Sequence, residues 1–198
     1  MTALLTPPNP GGLPPIRWTV ATFHRACSLG LFDGRRAILL RGVILEQGPM
    51  NPPHATAILV SNEALRAVFG IGWTVRVQLP LVLSLDTDPV PDFAVVRGGV
   101  RDHATTHPTT ADLVMEVSDT TLDADITEKA ELYATAGIAD YWVLDLDNRR
   151  LLVFRDPVPL PTGLGATAYR THFTFGPADS VSPLALPSAT VRVADLLP

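Results

Sequence analysis

Apolar positions change period several times along the chain, and each change marks an element. Residues 19–29 (TVATFHRACSL) carry helical spacing, with Thr19 as N-cap and Gly30 closing the segment. Two short apolar runs, 36–41 and 43–47, flank Gly42 and predict a hairpin. The proline-rich corner GPMNPP follows. Ile58, Leu59, Leu65, Val68 and Phe69 then recur at helical spacing within 54–69, and Gly70 ends that run. The middle of the chain is β-like: WTVRVQ (73–78) alternates, LVLSL (81–85) is mostly apolar, and DFAVVR (92–97) follows Pro91. Residues 101–111 are polar and Thr-rich and read as a loop. DLVMEV (112–117) is a nearly continuous apolar run carrying one acid, as in a buried central strand. A helix is expected over 124–136, ended by Gly137. DYWVLDL (140–146) and RRLLVFR (149–155) flank Asp147–Asn148, a hairpin pattern. The proline-rich remainder from about 157 holds further strand patterns at 168–174 and 190–193. This order predicts an α/β (α+β) layout, a mixed central β-sheet flanked by helices.

Composition narrows the class. With 198 residues, 46% of them hydrophobic, the chain has the material for one globular core. No apolar stretch reaches the roughly 18–20 residues of a membrane helix, so no membrane partner is expected. The opening MTALLTPPNPGGLPP lacks the basic-then-apolar pattern of a secretory signal and reads as a flexible lead-in over 1–16. Cys27 is the only cysteine, which excludes an intrachain disulfide and fits a cytoplasmic location. A net charge of −5 tells against a stable nucleic-acid coat but not against a local basic patch. Fourteen of the fifteen basic residues are arginine, and Lys129 is the one lysine. A site needing a compact ammonium with three donors cannot use a planar guanidinium.

Three residues carry the candidate chemistry. Asp92 opens a strand directly after Pro91, and Glu116 stands near the end of the next strong strand, on the same face as Asp112 and Val114. A carboxylate late in a buried strand is costly unless it is paired or binds a cation. Lys129 lies thirteen residues on, in the following helix, with Asp125 and Tyr133 one turn either side. Two carboxylates and a lysine suit metal-assisted phosphodiester hydrolysis. The acids hold a hard cation, the cation activates water, and the lysine orients that water or steadies developing charge. The same spacing suits a buried Glu–Lys ion pair with Asp92 as a strand-start acid, and spacing alone leaves both readings open.

The strings VPDFAVVRGG, ADLVMEVSDTT, the D-x-x-x-K-x-x-x-Y row of Asp125, Lys129 and Tyr133, and AGIADYWVLDLDNRRLLVFRDP together resemble the Uma-two family of endonucleases. That family is placed in the PD-(D/E)XK, restriction-endonuclease-like superfamily. FDGRRAILLRGVILEQGPMNPPHA resembles the family's opening region, so the likeness spans roughly residues 17–157. It implies one restriction-endonuclease-like domain over 17–198 and nuclease chemistry dependent on Mg²⁺, or on Mn²⁺ in its place. Asp92 and Glu116 would be the metal ligands, and Lys129 would complete the catalytic set. Ser118 stands where the family pattern has its lysine, and the resemblance implies a lysine migrated to the following helix, which Lys129 fits. Ile38 and Val43 replace glutamates common in relatives, which leaves Glu46 as the substitute acid. His54 matches a family histidine near the second helix, a candidate to touch substrate phosphate or else a capping or packing residue, and Asp125 would orient Lys129. The implied partner is a nucleic acid, DNA before RNA. Double-strand cutting by a one-site domain would need a homodimer. Two rival readings are a non-catalytic binding module with a structural acid–lysine network, and a hydrolase of smaller phosphoesters.

Overall fold

A computed structural model describes residues 14–161 and 166–198. The first thirteen residues of the expected lead-in lie outside the described residues. Helix α1 (Val20–Ser28) begins at Thr19, whose hydroxyl accepts from the Thr22 amide while the Thr22 hydroxyl caps the Thr19 amide in return. Strands β1 (Ala37–Leu40) and β2 (Val43–Glu46) pair in a hairpin of their own. Its two turn residues, Arg41 (φ 48°) and Gly42 (φ 74°), both take the left-handed backbone that a tight hairpin turn requires. Helix α2 (Pro52–Phe69) starts at the Asn51 N-cap with prolines in its first turn and stops at Gly70.

The central sheet has six strands in sequence order: β3 (Trp73–Val77), β4 (Phe93–Arg97), β5 (Leu113–Ser118), β6 (Asp140–Asp145), β7 (Arg150–Pro159) and β8 (Thr167–Phe175). All neighbours are antiparallel except β5 and β6, which are parallel and therefore need a helical crossover. Helices α3 (Leu122–Ile126) and α4 (Glu128–Thr135) make that crossover. A small pair, β9 (Ser180–Val181) and β10 (Val191–Arg192), closes the chain. The expected mixed sheet with flanking helices is what the chain forms. Helix α2 covers one face, with Ala57, Ile58, Leu65 and Phe69 against Phe93, Val95, Leu113, Met115 and Val117. Helix α4 covers the other, with Ala130, Leu132 and Tyr133 against Ala94, Val114, Tyr141 and Val143. Tyr141 and Trp142 are fully buried core residues, as their strand position predicts.

Four expectations are corrected. Residues 81–85 are not a strand. The amides of Leu81 and Leu83 bond to Pro89 and Thr87 on one side and that of Val82 to Pro108 on the other, but Pro89 and Pro108 have no amide to return a bond, so no ladder extends along the run. The helix over 124–136 is two helices, beginning at Leu122 and broken at Thr127 (φ −117°, ψ −81°). The Thr127 hydroxyl bonds the Asp123 carbonyl there, competing with the helical ladder. The loop 101–111 opens with a 3₁₀ turn at Val100–His103. Strand β7 continues to Pro159, well past the expected end at 155. Beyond Arg155 it pairs only with β8, so Pro157 and Pro159 face no second neighbour needing their missing amides.

Candidate active site

Register brings the two acids together. Phe93 lies opposite Met115 and Ala94 opposite Val114, so one further step sets Asp92 opposite Glu116. The Asp92 amide is 3.4 Å from Glu116 Oε2, and the Val117 amide donates to Asp92 Oδ2 at 2.9 Å. Alternation along β5 turns Leu113, Met115 and Val117 toward α2 and leaves Val114 and Glu116 facing α4. Glu116 is therefore buried under α4, with 4% of its side chain exposed.

The break at Thr127 does not disturb the row on the crossover helices. Lys129 Nζ is 2.7 Å from Asp125 Oδ1 and 3.2 Å from Glu116 Oε2. One turn further on, Tyr133 donates its hydroxyl to Glu116 Oε1 at 2.7 Å. Asp125 is held in turn by the Thr121 hydroxyl at 2.6 Å, and its backbone carbonyl accepts from Tyr141. Two buried acids thus share one lysine, itself 29% exposed. On the Asp92 side, His54 at the start of α2 brings Nε2 to 3.3 Å from Oδ1, and Gln78 donates to the same oxygen at 3.0 Å. Asn51 caps the His54 amide and also donates to Asp119, just beyond β5.

Charges in this cluster titrate away from their ordinary values. Burial pushes Glu116 up to about 7, and Asp92 and Asp125 add to the rise against the pull of Lys129 and Tyr133. Burial would lower Lys129, yet Glu116 and Asp125 beside it outweigh that and raise it, so the ammonium stays charged. Burial also opposes ionisation of Asp92, but hydrogen bonds from His54, Gln78 and Val117 prevail and hold it below the usual carboxylate range. The hydrogen bond to Asp92 raises His54 despite partial burial. Burial, with Glu116 alongside, holds the Tyr133 phenol well above its usual value, a donor and not a base. The weakest charge in the set is therefore Glu116.

The donor set fits a hard divalent cation in one specific way. Among the described residues, no three His, Cys, Asp or Glu side chains form a ready metal-binding group. Two adjoining carboxylates suit a cation that keeps much of its water and uses one or two protein acids. The Ser118 hydroxyl, on the Glu116 face of β5, is buried without a hydrogen-bond partner.

Of the residues singled out from sequence, Asp92, Glu116, Lys129, Asp125 and His54 come together. Glu46 does not: it is exposed on β2 and faces Arg35 at 3.4 Å. Ile38 is buried in β1, while Val43 is exposed at the hairpin turn. Asp88, four residues before Asp92, is buried and bonded to His24 at 2.6 Å. Gln78 was missed. It carries a left-handed backbone (φ 51°), donates its amide to the Asp92 carbonyl, and aims its side chain at the Asp92 carboxylate. A polar residue ending an alternating strand was the available signal, but only the β3–β4 register aligns it with Asp92. Two hollows, of about 280 and 420 Å³, lie elsewhere, between α4 and β8 and beside Arg97 and His103. Neither is lined by Asp92, Glu116 or Lys129.

Comparison with known proteins agrees with this architecture. A family model, Uma2, described as "Putative restriction endonuclease", matches residues 20–194. No curated protein matches the sequence. Among solved structures, "a putative nuclease belonging to DUF820" from Anabaena variabilis superposes with a TM-score of 0.61 at 16% identity. The match covers 81% of this chain and 88% of that one, and at this identity the likeness is one of fold.

Proposed function

The chain belongs to the Uma2 family, and from that premise we propose that it is a metal-dependent nuclease hydrolysing phosphodiester bonds, DNA before RNA. The observation that carries this reading is the convergence of Asp92, Glu116 and the only lysine on one buried spot. Asp92 and Glu116 would hold Mg²⁺, or Mn²⁺ in its place, and the cation, when bound, would lower the pKa of a water and polarise the phosphoryl group. Lys129, kept charged by Glu116 and Asp125, orients that water and steadies charge on the phosphate. Asp125 aims Lys129, Tyr133 fixes one Glu116 oxygen, and Gln78 and His54 fix one Asp92 oxygen. Acting as one domain over 17–198 with one site, the protein would need two copies to cut both strands.

The test is Mg²⁺-dependent nicking of plasmid DNA. Asp92→Ala and Lys129→Ala should each abolish it while leaving the circular dichroism spectrum native. Absence of divalent-metal binding by calorimetry, with no cleavage of DNA, RNA or a nucleotide phosphoester, sinks the reading.

One observation favours a second reading. Both Asp92 oxygens already accept bonds from protein donors, and Lys129 contacts two acids. A binding module with a structural network would look the same, and failure to bind metal would select it.

A further inference from the structure

Charge is distributed unevenly along this chain. Residues 17–48, which span α1 and the β1–β2 hairpin, carry Arg17, Arg25, Arg35, Arg36 and Arg41 against only Asp33 and Glu46. That is a net +3 in a chain of net −5, leaving −8 on the rest. All five arginines are exposed. The hairpin is no part of the central sheet; it is held on the strip 85–90, which leads into Asp92. Leu85 and Asp86 accept from the Val20 and Gly42 amides, Asp88 donates to Leu39, and Gln47 reaches the Val90 carbonyl at 3.3 Å.

These bonds fix the hairpin's direction. Gly42 meets Asp86 and Leu39 meets Asp88, so β1 runs antiparallel to the strip. Its first residues therefore lie toward Pro91–Asp92. Gln47 confirms this end, since its amide bonds the Arg36 carbonyl while its side chain holds Val90, two residues before Asp92. At the other end, Arg41 contacts Glu131 on α4, two residues past Lys129.

We propose that Arg35 and Arg36 contact the phosphodiester backbone of a nucleic acid whose scissile bond lies at Asp92, Glu116 and Lys129. Arg17, Arg25 and Arg41 extend the same track. This rests on the nuclease reading and adds the surface that would make it workable in an acidic protein. Present partners do not forbid it. Arg35 meets Glu46 at 3.4 Å with both side chains more than half exposed, and Arg36 meets the Gly48 carbonyl. An exposed pair of this kind contributes little to stability and exchanges readily for phosphate. Glu46, the acid expected at the metal, then acts as a competitor that occupies Arg35 when no substrate is present.

The test separates binding from cleavage. Fluorescently labelled duplex DNA, single-stranded DNA and RNA are titrated in EDTA across a salt series. The intact protein should bind with a steep salt dependence. R35Q/R36Q should weaken binding about 10- to 100-fold at low salt and lower the slope of log K against log salt by about 2. R35K/R36K should keep most of that slope, because it keeps the charge, and E46Q should bind more tightly than the parent. Whichever probe binds best identifies the polymer. A double Gln variant with unchanged affinity and slope overturns the proposal, as does an intact protein that binds none of the three probes. Neither result touches the Mg²⁺-dependent nicking test, so the surface can fail while the nuclease reading stands. Thermal melts of each variant show whether the hairpin stays folded, and a lowered slope restored by lysine cannot come from hairpin collapse.

Discussion

Toward α2, β5 presents Leu113, Met115 and Val117; toward α4, one residue out of step, it presents Val114 and Glu116. The first face is mostly hydrocarbon; its polar members are Ser61, bonded to the Leu196 carbonyl, and Asp140 on β6, which is fully answered by Arg155, the Trp142 indole and the Leu184 amide. The second holds Glu116, Asp125, Lys129 and the Tyr133 hydroxyl in one connected network, with Asp92 beside it. Burying hydrocarbon stabilises a fold by about 25 cal/mol per Å². Burying acids costs free energy unless every lone pair and charge is answered. One strand thus serves two purposes, and the α2 face supplies stability that the α4 face gives up to hold charge.

Four changes would break or sharpen this contrast. The largest effect belongs to the apolar face. Leu65→Ala, at a fully buried position, should cost about 2–5 kcal/mol in urea unfolding and leave metal affinity unchanged. A loss of metal affinity in that variant would mean that the faces are not independent. Next, Lys129→Ala strands Glu116 without its cation. The loss should be about 2–3 kcal/mol at pH 8, below the 3–5 of a fully buried pair because Lys129 is partly exposed. At pH 5, with Glu116 neutral, the loss should shrink; equal losses at both pH values would refute the network.

The third change concerns pH. Glu116 titrates at about 7 in the folded protein against an ordinary 4.5. The folded state therefore holds its proton more tightly. Its stability contribution is fully present below 4.5 and is lost as pH rises through about 7. Lys129 is also raised, from 10.5, so its contribution changes only at higher pH; lowered Asp92 changes only below 3.8. His54, raised from 6.5, adds a loss of the same sign above that value. Metal-free protein should lose stability between pH 4.5 and 7, and Glu116→Gln should flatten most of that slope. A variant that keeps the whole slope would locate the titration elsewhere. The smallest effect is Glu46→Gln, within about 0.5 kcal/mol and with metal affinity unaltered, since Glu46 is exposed on the separate hairpin.

Most elements were legible because local signals agreed. Thr19, Asn51 and Gly70 bound their helices, and Arg41–Gly42 turns the first hairpin. Legibility failed where backbone bonds go to distant partners. The run 81–85 has strand composition, but its amides bond Pro89, Pro108 and Thr87. Helix α3 parts from α4 at a threonine that gives no break signal on its own. Gln78 shows in sequence only as a polar strand end, because its link to Asp92 runs across two strands fourteen residues apart.

The sequence by itself determined the strand face of Glu116 and the one-turn spacing of Asp125, Lys129 and Tyr133. Alternation along 112–117 fixes which face Glu116 takes, and helical spacing stacks Asp125, Lys129 and Tyr133 into one row. Both are consequences of chain periodicity. Only the tertiary structure decided what surrounds these residues. The β3–β4–β5 register seats Gln78 and Asp92 beside Glu116, the start of α2 delivers His54, and the hairpin's docking brings its Arg35–Arg36 end toward Asp92 with Glu46 turned onto Arg35. Register and docking are set by bonds between segments far apart in the chain, which no local period encodes.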